Sequence, residues 1–508
     1  MRSKRAVLNF TAAIVELVVA TVASFVVPHY IIYAYGSNAN GLISSITQFL
    51  SYIALIESGI GAIGRASLYK PLAEGDTTVL SRNTKAIENF YRKIAYIFLL
   101  YVAVLAILFP LLVNKDFSWA YTSSLVIILA FSTFIQYYFG ITSQTLIQAD
   151  QKKYIPSVLQ ALTLFINMII TVLMVKLNFS VHSVKIGSTI AYAIRPMILY
   201  WYVRNHYKID RAAKPRNEIL KQRWDGLAQH IAFFIHKNTD IAVLTVLANV
   251  KEVSVYSVYM LAVSGCSKVV NIFSSSLEPA FGNMIAQGEK QNLMKRVNLC
   301  TIITIQVSVI LFSTAMIVIT PFINLYTSGV TDVEYIRTEF GVVMIVAEAL
   351  YCTRLPYQYA IYAAGHFKQT RNGAVAEATI NILISVILVF KFGLIGVACG
   401  TLVSMLYRTI QFIWYYHVKL LQNCAGLKIE IKKFIILLFE ISVIVIIAYF
   451  LPTASDKSYC KWILSSFLIG LVISCFVLAT SFIFFKEQAV ELISFIKRLI
   501  VRKSKNNH

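Results

Sequence analysis

Charge is scarce in this 508-residue chain. Asp, Glu, Lys and Arg make up only 14% of it, against about 25% in a soluble globular protein. Acidic residues are the rarer kind: 24 Asp and Glu stand against 46 Lys and Arg, for a formal net charge of +22. Seven cysteines are scattered at 266, 300, 352, 399, 424, 460 and 475. They form no CxxC pair and most lie in apolar runs, so neither a disulfide framework nor a zinc site is expected. They read as small buried apolar side chains. The histidines are dispersed without an HExxH, and there is no Walker loop, no GxGxxG after a strand and no GxSxG elbow. The longest hydrophilic stretch, Arg204–Asp225, falls far short of the ~50 residues a small domain needs. A built-in ATPase motor is therefore not expected. No catalytic residue, metal site or cofactor is expected, and the chain reads as a non-enzyme.

What is abundant is apolar. Hydrophobic residues make up 58% of the chain, and the mean hydropathy is +0.69. That excludes a cytosolic enzyme with one ordinary core, and it excludes a disordered chain. A pI near 9.6 in a soluble protein would suggest nucleic acid. Here the basic residues fall between apolar runs, so membrane topology is the better reading and no nucleic-acid partner is expected.

About 20 apolar residues cross a bilayer as helix. Fourteen such runs are present, near 8–34, 42–64, 94–113, 120–142, 155–176, 184–203, 226–248, 253–278, 298–322, 337–360, 373–390, 394–416, 434–451 and 462–485. The first follows Met-Arg-Ser-Lys-Arg but is too long for a signal peptide, and its pattern recurs down the chain. Pro28 is expected to kink it. With the N-terminus inside and the spans alternating, 33 basic residues fall on inner segments and seven on outer ones. That asymmetry puts both termini on the cytoplasmic side. The basic loops also suit anionic lipid headgroups.

An offset of 213 residues lays the first six spans on the next six. Leu72-Ala-Glu-Gly-Asp76 falls on Ile285-Ala-Gln-Gly-Glu289, and the loops Tyr35–Gly41 and Ala248–Ser254 coincide. Six spans per repeat make it a parallel repeat, related by an axis along the membrane normal. The expected fold is all-α and polytopic: two six-helix lobes related by a pseudo-twofold, plus two extra helices. Residues 1–210 form the first lobe and 211–424 the second. Spans 13 and 14 occupy 425–485. Residues 486–508 form an amphipathic cytoplasmic tail, with Ala489, Leu492, Ile493, Ile496, Leu499 and Ile500 on one face.

Charged residues at membrane depth are costly, so each is a functional candidate. The basic candidates for substrate contact are Arg195, Lys237, Lys268, Arg354 and Arg408. The acidic candidates for ion coupling are Glu16, Glu57, Asp240, Glu348 and Glu377. Each also has a structural explanation. An Arg can pair with a Glu across helices. His236 and Lys237 can neutralise Asp240 along one helix face. Lys185 and Glu440 sit near span ends and are expected to snorkel, and Glu278 precedes Pro279 where it can face water. Gly59, Gly61 and Gly64 read as packing positions.

The segment Gly36-Ser-Asn-Ala-Asn-Gly-Leu-Ile-Ser-Ser-Ile-Thr-Gln-Phe-Leu-Ser51 continues as Ile56-Glu-Ser-Gly-Ile-Gly61 and Leu68-Tyr-Lys-Pro-Leu-Ala-Glu-Gly-Asp76. It resembles the first hairpin of the Wzx-like polysaccharide flippases, in the multidrug/oligosaccharidyl-lipid/polysaccharide exporter superfamily. Ala149-Asp-Gln-Lys-Lys153 and Ala363-Ala-Gly-His-Phe-Lys368 are similar to inner turns of that family. The resemblance implies a cargo, an undecaprenyl-diphosphate-linked oligosaccharide. It implies movement of that cargo from inner to outer leaflet by alternating access, for capsule, exopolysaccharide or related polymer. Polysaccharide polymerase and glycosyltransferases are the partners it implies. No motif of the family maps onto particular lumen residues here. A drug or organic-cation exporter of the same superfamily, driven by H⁺ or Na⁺, is the alternative. A membrane-embedded polymerase fits less well, because the outer loops are short.

Overall fold

The computed structural model describes residues 2–57, 60–113, 117–210, 212–216, 238–423, 426–450 and 458–491. Among them there is no β-strand. The helices fall into two compact units: Met1–Val258 with Gly329–Val333, and Tyr259–Ser328 with Glu334–His508.

The first unit is built from α1 (Arg2–Ser51), α2 (Ala54–Glu57), α3 (Ile60–Glu74), α4 (Thr77–Leu112), α5 (Trp119–Ile135), α6 (Ile141–Ala149), α7 (Tyr154–Lys176) and α8 (Val181–His206), with α9 (Asn238–Leu247) and the start of α10 (Val250–Ser275). Helices α1 and α7 pack along their lengths, as do α7 and α8, α4 and α5, and α5 and α8. Ile87, Tyr91, Phe98, Phe109, Leu125, Leu146 and Leu199 form the buried centre. The second unit continues with α11 (Glu278–Ala286), α12 (Lys290–Tyr326), α13 (Thr338–Ala363), α14 (Phe367–Tyr415), α15 (Gly426–Phe450) and α16 (Tyr459–Phe484). Here α13 packs on α12 and α14, and α12 also carries α15 and α16.

Among the described residues, ten helical stretches are long and apolar enough to cross a membrane. Two of them each hold a pair of the expected spans, merged across a non-helical residue: Gly36 (φ 78°, ψ 175°) in α1 and Gly393 (φ 53°, ψ −127°) in α14. Helix α8 and the short α9 account for the remaining two runs. Large apolar side chains stay exposed along these helices, among them Leu100, Ile107, Phe390 and Phe467. In water that would be untenable; in a bilayer it is the lipid-facing surface. The break in the first helix pair falls at Gly36, while Pro28, where a kink was expected, lies inside helix. The combination φ 78°, ψ 175° is open essentially to glycine alone, and it breaks the helix there.

The 213-residue offset appears in the backbone. Helix α4 starts at Thr77 and α12 at Lys290. Each follows a glycine at φ 72°, Gly75 and Gly288. Asp76 caps α4 by accepting from the Val79 N–H at 2.9 Å. A Cβ at Gly64 would lie 3.3 Å from the Ile87 side chain and 3.6 Å from that of Thr145, which is the close helix approach expected there. Gly59, Lys237, His236 and the tail beyond Glu491 lie outside the described residues.

Candidate functional site

Helical order loosens in the middle of the second span. Between Phe49 and Ile56 the backbone bonds run i to i−3: Tyr52 N–H to Phe49 O at 3.1 Å, Leu55 to Tyr52 at 3.1 Å and Ile56 to Ile53 at 3.0 Å. Such tightening leaves carbonyls without their usual partners, and in a membrane each must find another. The Tyr101 hydroxyl donates to the Phe49 carbonyl at 2.8 Å. Glu57 follows directly. Its carboxylate accepts from the Tyr137 hydroxyl at 2.9 Å and from the Tyr91 hydroxyl at 3.4 Å. Tyr137 itself sits in a π-helical turn, Gln136–Gly140. Mid-helix departures of both kinds collect at functional positions. Among the described residues, the hydrogen-bond donors to this carboxylate are two phenols. That is a suitable arrangement for taking up a proton or a monovalent cation.

A polar seam continues toward the basic end of the unit. Arg65 donates to Gln148 at 3.4 Å, and Arg195 donates to Gln144 at 2.9 Å. Gln144 and Gln148 are four residues apart on α6 and so share a face. Arg195 keeps a buried Nε without a hydrogen-bond partner, and Glu16 is the acid within its electrostatic reach. Of the expected candidates, Glu16 and Arg195 thus lie near one another, and Glu57 lies with Tyr91 and Tyr137. Arg65, Tyr91, Tyr137, Gln144 and Gln148 were missed. The i, i+4 glutamine pair in an apolar run was the available signal.

At the opposite end of the same unit, the turn after Gly36 is clasped by polar contacts. Asp332 accepts from the Ser37 N–H at 2.8 Å and from its hydroxyl at 2.7 Å. Lys251 donates to the Asp332 carbonyl at 3.0 Å. Asn40 donates to Ser254 at 2.8 Å, Thr245 to Ser45 at 2.8 Å and Gln48 to Asn238 at 2.7 Å. The backbones touch at Gly41, where a Cβ would lie 1.7 Å from the Val250 carbonyl oxygen. Asp240 is buried and accepts from Tyr256 at 3.0 Å; its expected partners His236 and Lys237 lie outside the described residues.

The second unit treats its charges differently. Arg354 donates to Glu377 Oε1 at 2.7 Å, and Arg408 lies 3.3 Å from Oε2. All three side chains are at most 6% exposed. Phe412 stacks beneath both guanidiniums, at 5.7 and 4.1 Å. Three of the expected candidates therefore pair with one another. Glu348 is buried and accepts from Ser267 at 2.5 Å, while Lys268 is exposed.

The snorkelling expected of Lys185 and Glu440 does not occur. Lys185 is 7% exposed and Glu440 is 0% exposed. Glu440 lies mid-helix in α15 and accepts from Gln306 at 3.1 Å and Thr480 at 2.5 Å. A glutamate stem is too short to reach an interface from there, so neighbouring helices supply the donors. An apolar cavity of about 380 Å³ lies between α12, α13 and α15, lined by Val309, Phe312, Met316, Ile345, Leu437 and Ile444 among others.

No family model matches the chain, and no curated protein matches it by sequence. Solved structures do match. The lipid II flippase MurJ, in an inward closed conformation, has a TM-score of 0.70 at 16% identity, over 95% of this chain and 99% of that one. An inward-facing multidrug resistance MATE family transporter of the MOP superfamily gives 0.60 at 13% identity, over 80% of this chain and 98% of that one. The chain has the fold of the MOP-superfamily transporters. A third MOP-type fold, the eukaryotic MATE transporter AtDTX14, gives 0.56 at 14% identity, over 81% of this chain and 94% of that one. The all-α, polytopic architecture expected from hydropathy is the fold these transporters share.

Proposed function

We propose that this protein flips an undecaprenyl-diphosphate-linked oligosaccharide from the cytoplasmic to the outer leaflet of the plasma membrane by alternating access, for a capsular, exopolysaccharide or related surface polymer. The observation that carries the reading is the extent of the fold likeness. It spans 95% of the chain with a lipid II flippase, against 80% with the inward-facing MATE transporter. Two further features support it. The apolar cavity of about 380 Å³ in the second unit suits a hydrocarbon chain. The seam in the first unit has hydrogen-bond donors for a polar headgroup, including the unbonded Arg195 Nε. A sugar diphosphate cannot cross about 30 Å of hydrocarbon unaided. A polar path that alternately opens removes that barrier, and no bond is made or broken. We assign headgroup contact to Arg195 and ion coupling, by H⁺ or Na⁺, to Glu57.

The test uses the purified protein in sealed vesicles carrying a fluorescent undecaprenyl-diphosphate sugar, with an impermeant quencher reporting the leaflet. Protein-dependent exchange of the probe between leaflets is the expected result. Absence of exchange, with accumulation of an organic cation under an H⁺ or Na⁺ gradient, would replace the reading by that of a multidrug exporter, which the MATE likeness at 0.60 supports.

A further inference from the structure

A second cavity, of about 480 Å³, opens at the basic end of the first unit, where α4, α6 and α8 converge. It is within the range of small-molecule sites and unlike the apolar one in character. Lys85, Glu88, Arg92, Arg204, Tyr138 and Tyr207 are among its lining residues. Glu88 pairs with both Lys85, at 3.1 Å, and Arg92. One carboxylate thus serves two cations, and Arg204 adds a third. The guanidinium of Arg92 is held 4.8 Å over the Tyr138 ring, and its buried Nε has no hydrogen-bond partner. Tyr207 is fixed by donating to Asp150 at 2.7 Å. Burial, then the bond to Asp150, raises the Tyr207 pKa, so its hydroxyl stays a neutral donor.

The charge is not a general demand of the fold. Positions 213 residues further on hold Asn298, Thr301, Ile305 and His417 in place of Lys85, Glu88, Arg92 and Arg204. There, His417 is engaged by Glu430 of α15 at 3.1 Å, with Lys433 and Tyr357 on the same carboxylate. The second unit covers its basic end with an additional helix, whereas the first leaves a cationic cavity. Beside that cavity the surface turns apolar: Tyr96, 58% exposed, has its ring 6.1 Å from that of Tyr138, and Trp201 is 62% exposed. A ligand with an anionic head and an apolar body would match both surfaces.

We infer that the cavity between α4, α6 and α8 binds a phosphate-bearing anion, supplied either by the headgroup of an anionic phospholipid or by a free phosphate compound. Arg92 and Arg204 contact the phosphate, while Glu88 limits the affinity by holding Lys85 and Arg92. The site is independent of the cargo that the transporter moves.

The full-length protein in detergent is incubated with phosphatidylglycerol or phosphatidylcholine, and lipid retained is read by native mass spectrometry. A parallel arm measures thermal protection by inorganic phosphate and by glycerol phosphate. Wild type is expected to retain phosphatidylglycerol over phosphatidylcholine by about fivefold or more, and Arg92→Gln and Arg204→Gln each to lose about fivefold. Glu88→Gln is expected to strengthen retention, an outcome that a purely structural carboxylate would not give. Protection by the soluble phosphates without lipid preference would identify a free ligand, and lipid preference without protection would identify the lipid. Equal retention of both lipids with no phosphate protection would overturn the inference. So would unchanged or weaker binding in Glu88→Gln alongside wild-type binding in both arginine variants.

Discussion

Glu57 in the first unit and Glu377 in the second began as the same signal, an acid inside an apolar run. The structure gives them opposite surroundings. Glu57 is held by two phenols, and Glu377 lies between two buried guanidiniums. A carboxylate bonded only to neutral donors can exchange a proton or a cation at modest cost. One clamped by two arginines cannot let go without stranding buried charge. The first unit therefore carries the mobile chemistry in our reading, and the second carries a fixed brace. The backbone agrees: the helix before Glu57 tightens and the helix bearing Tyr137 widens, while Glu377 sits in α-helix.

The largest expected effect falls on the brace. Glu377→Ala leaves two guanidiniums unpaired in the bundle and should lower stability by about 3–5 kcal/mol, read as a fall in Tm or loss of protein from the membrane. Replacing Arg354, Glu377 and Arg408 together by Met, Leu and Met should recover most of it, because no charge is then stranded. Next is Gly41→Ala. Its Cβ would meet the Val250 carbonyl oxygen at 1.7 Å, so the clasp must part, at about 1–3 kcal/mol. Gly265→Ala, with no atom within 4 Å of the new Cβ, should leave Tm unchanged or slightly raised, which controls for the substitution itself.

Glu57→Gln sharpens the contrast at smaller cost. The amide oxygen can still accept from one of the two phenols, and the amide NH2 can donate to the other phenol's oxygen, so stability should fall by only about 1 kcal/mol. Gradient-driven transport should be lost. Retained coupling in Glu57→Gln would remove this residue from the ion pathway. The smallest effect is expected for Lys70→Ala, whose pair with Glu74 is on the surface at 82% and 57% exposure. Neither Tm nor transport should change measurably.

Much of the fold was legible because hydropathy is a local sum. Every apolar run has a helix over its described residues, and the offset seen in Leu72–Asp76 and Ile285–Glu289 returns as matched helix starts. The site was legible only as an inventory. Glu16, Glu57 and Arg195 could be named from depth, but nothing local joins Arg195 to Gln144, 51 residues away. Lys185 and Glu440 were misjudged for a related reason. Distance from the end of a run says how far a side chain must reach, not whether neighbouring helices bury it.

Sequence alone determined that this chain is a multi-pass membrane protein and where its helices run, since transfer into lipid is decided residue by residue along the chain. Tertiary structure alone decided which charges neutralise one another and which stay available. Arg354, Glu377 and Arg408 meet because three helices lie side by side, and Glu57 escapes that fate because the helices beside it present tyrosines.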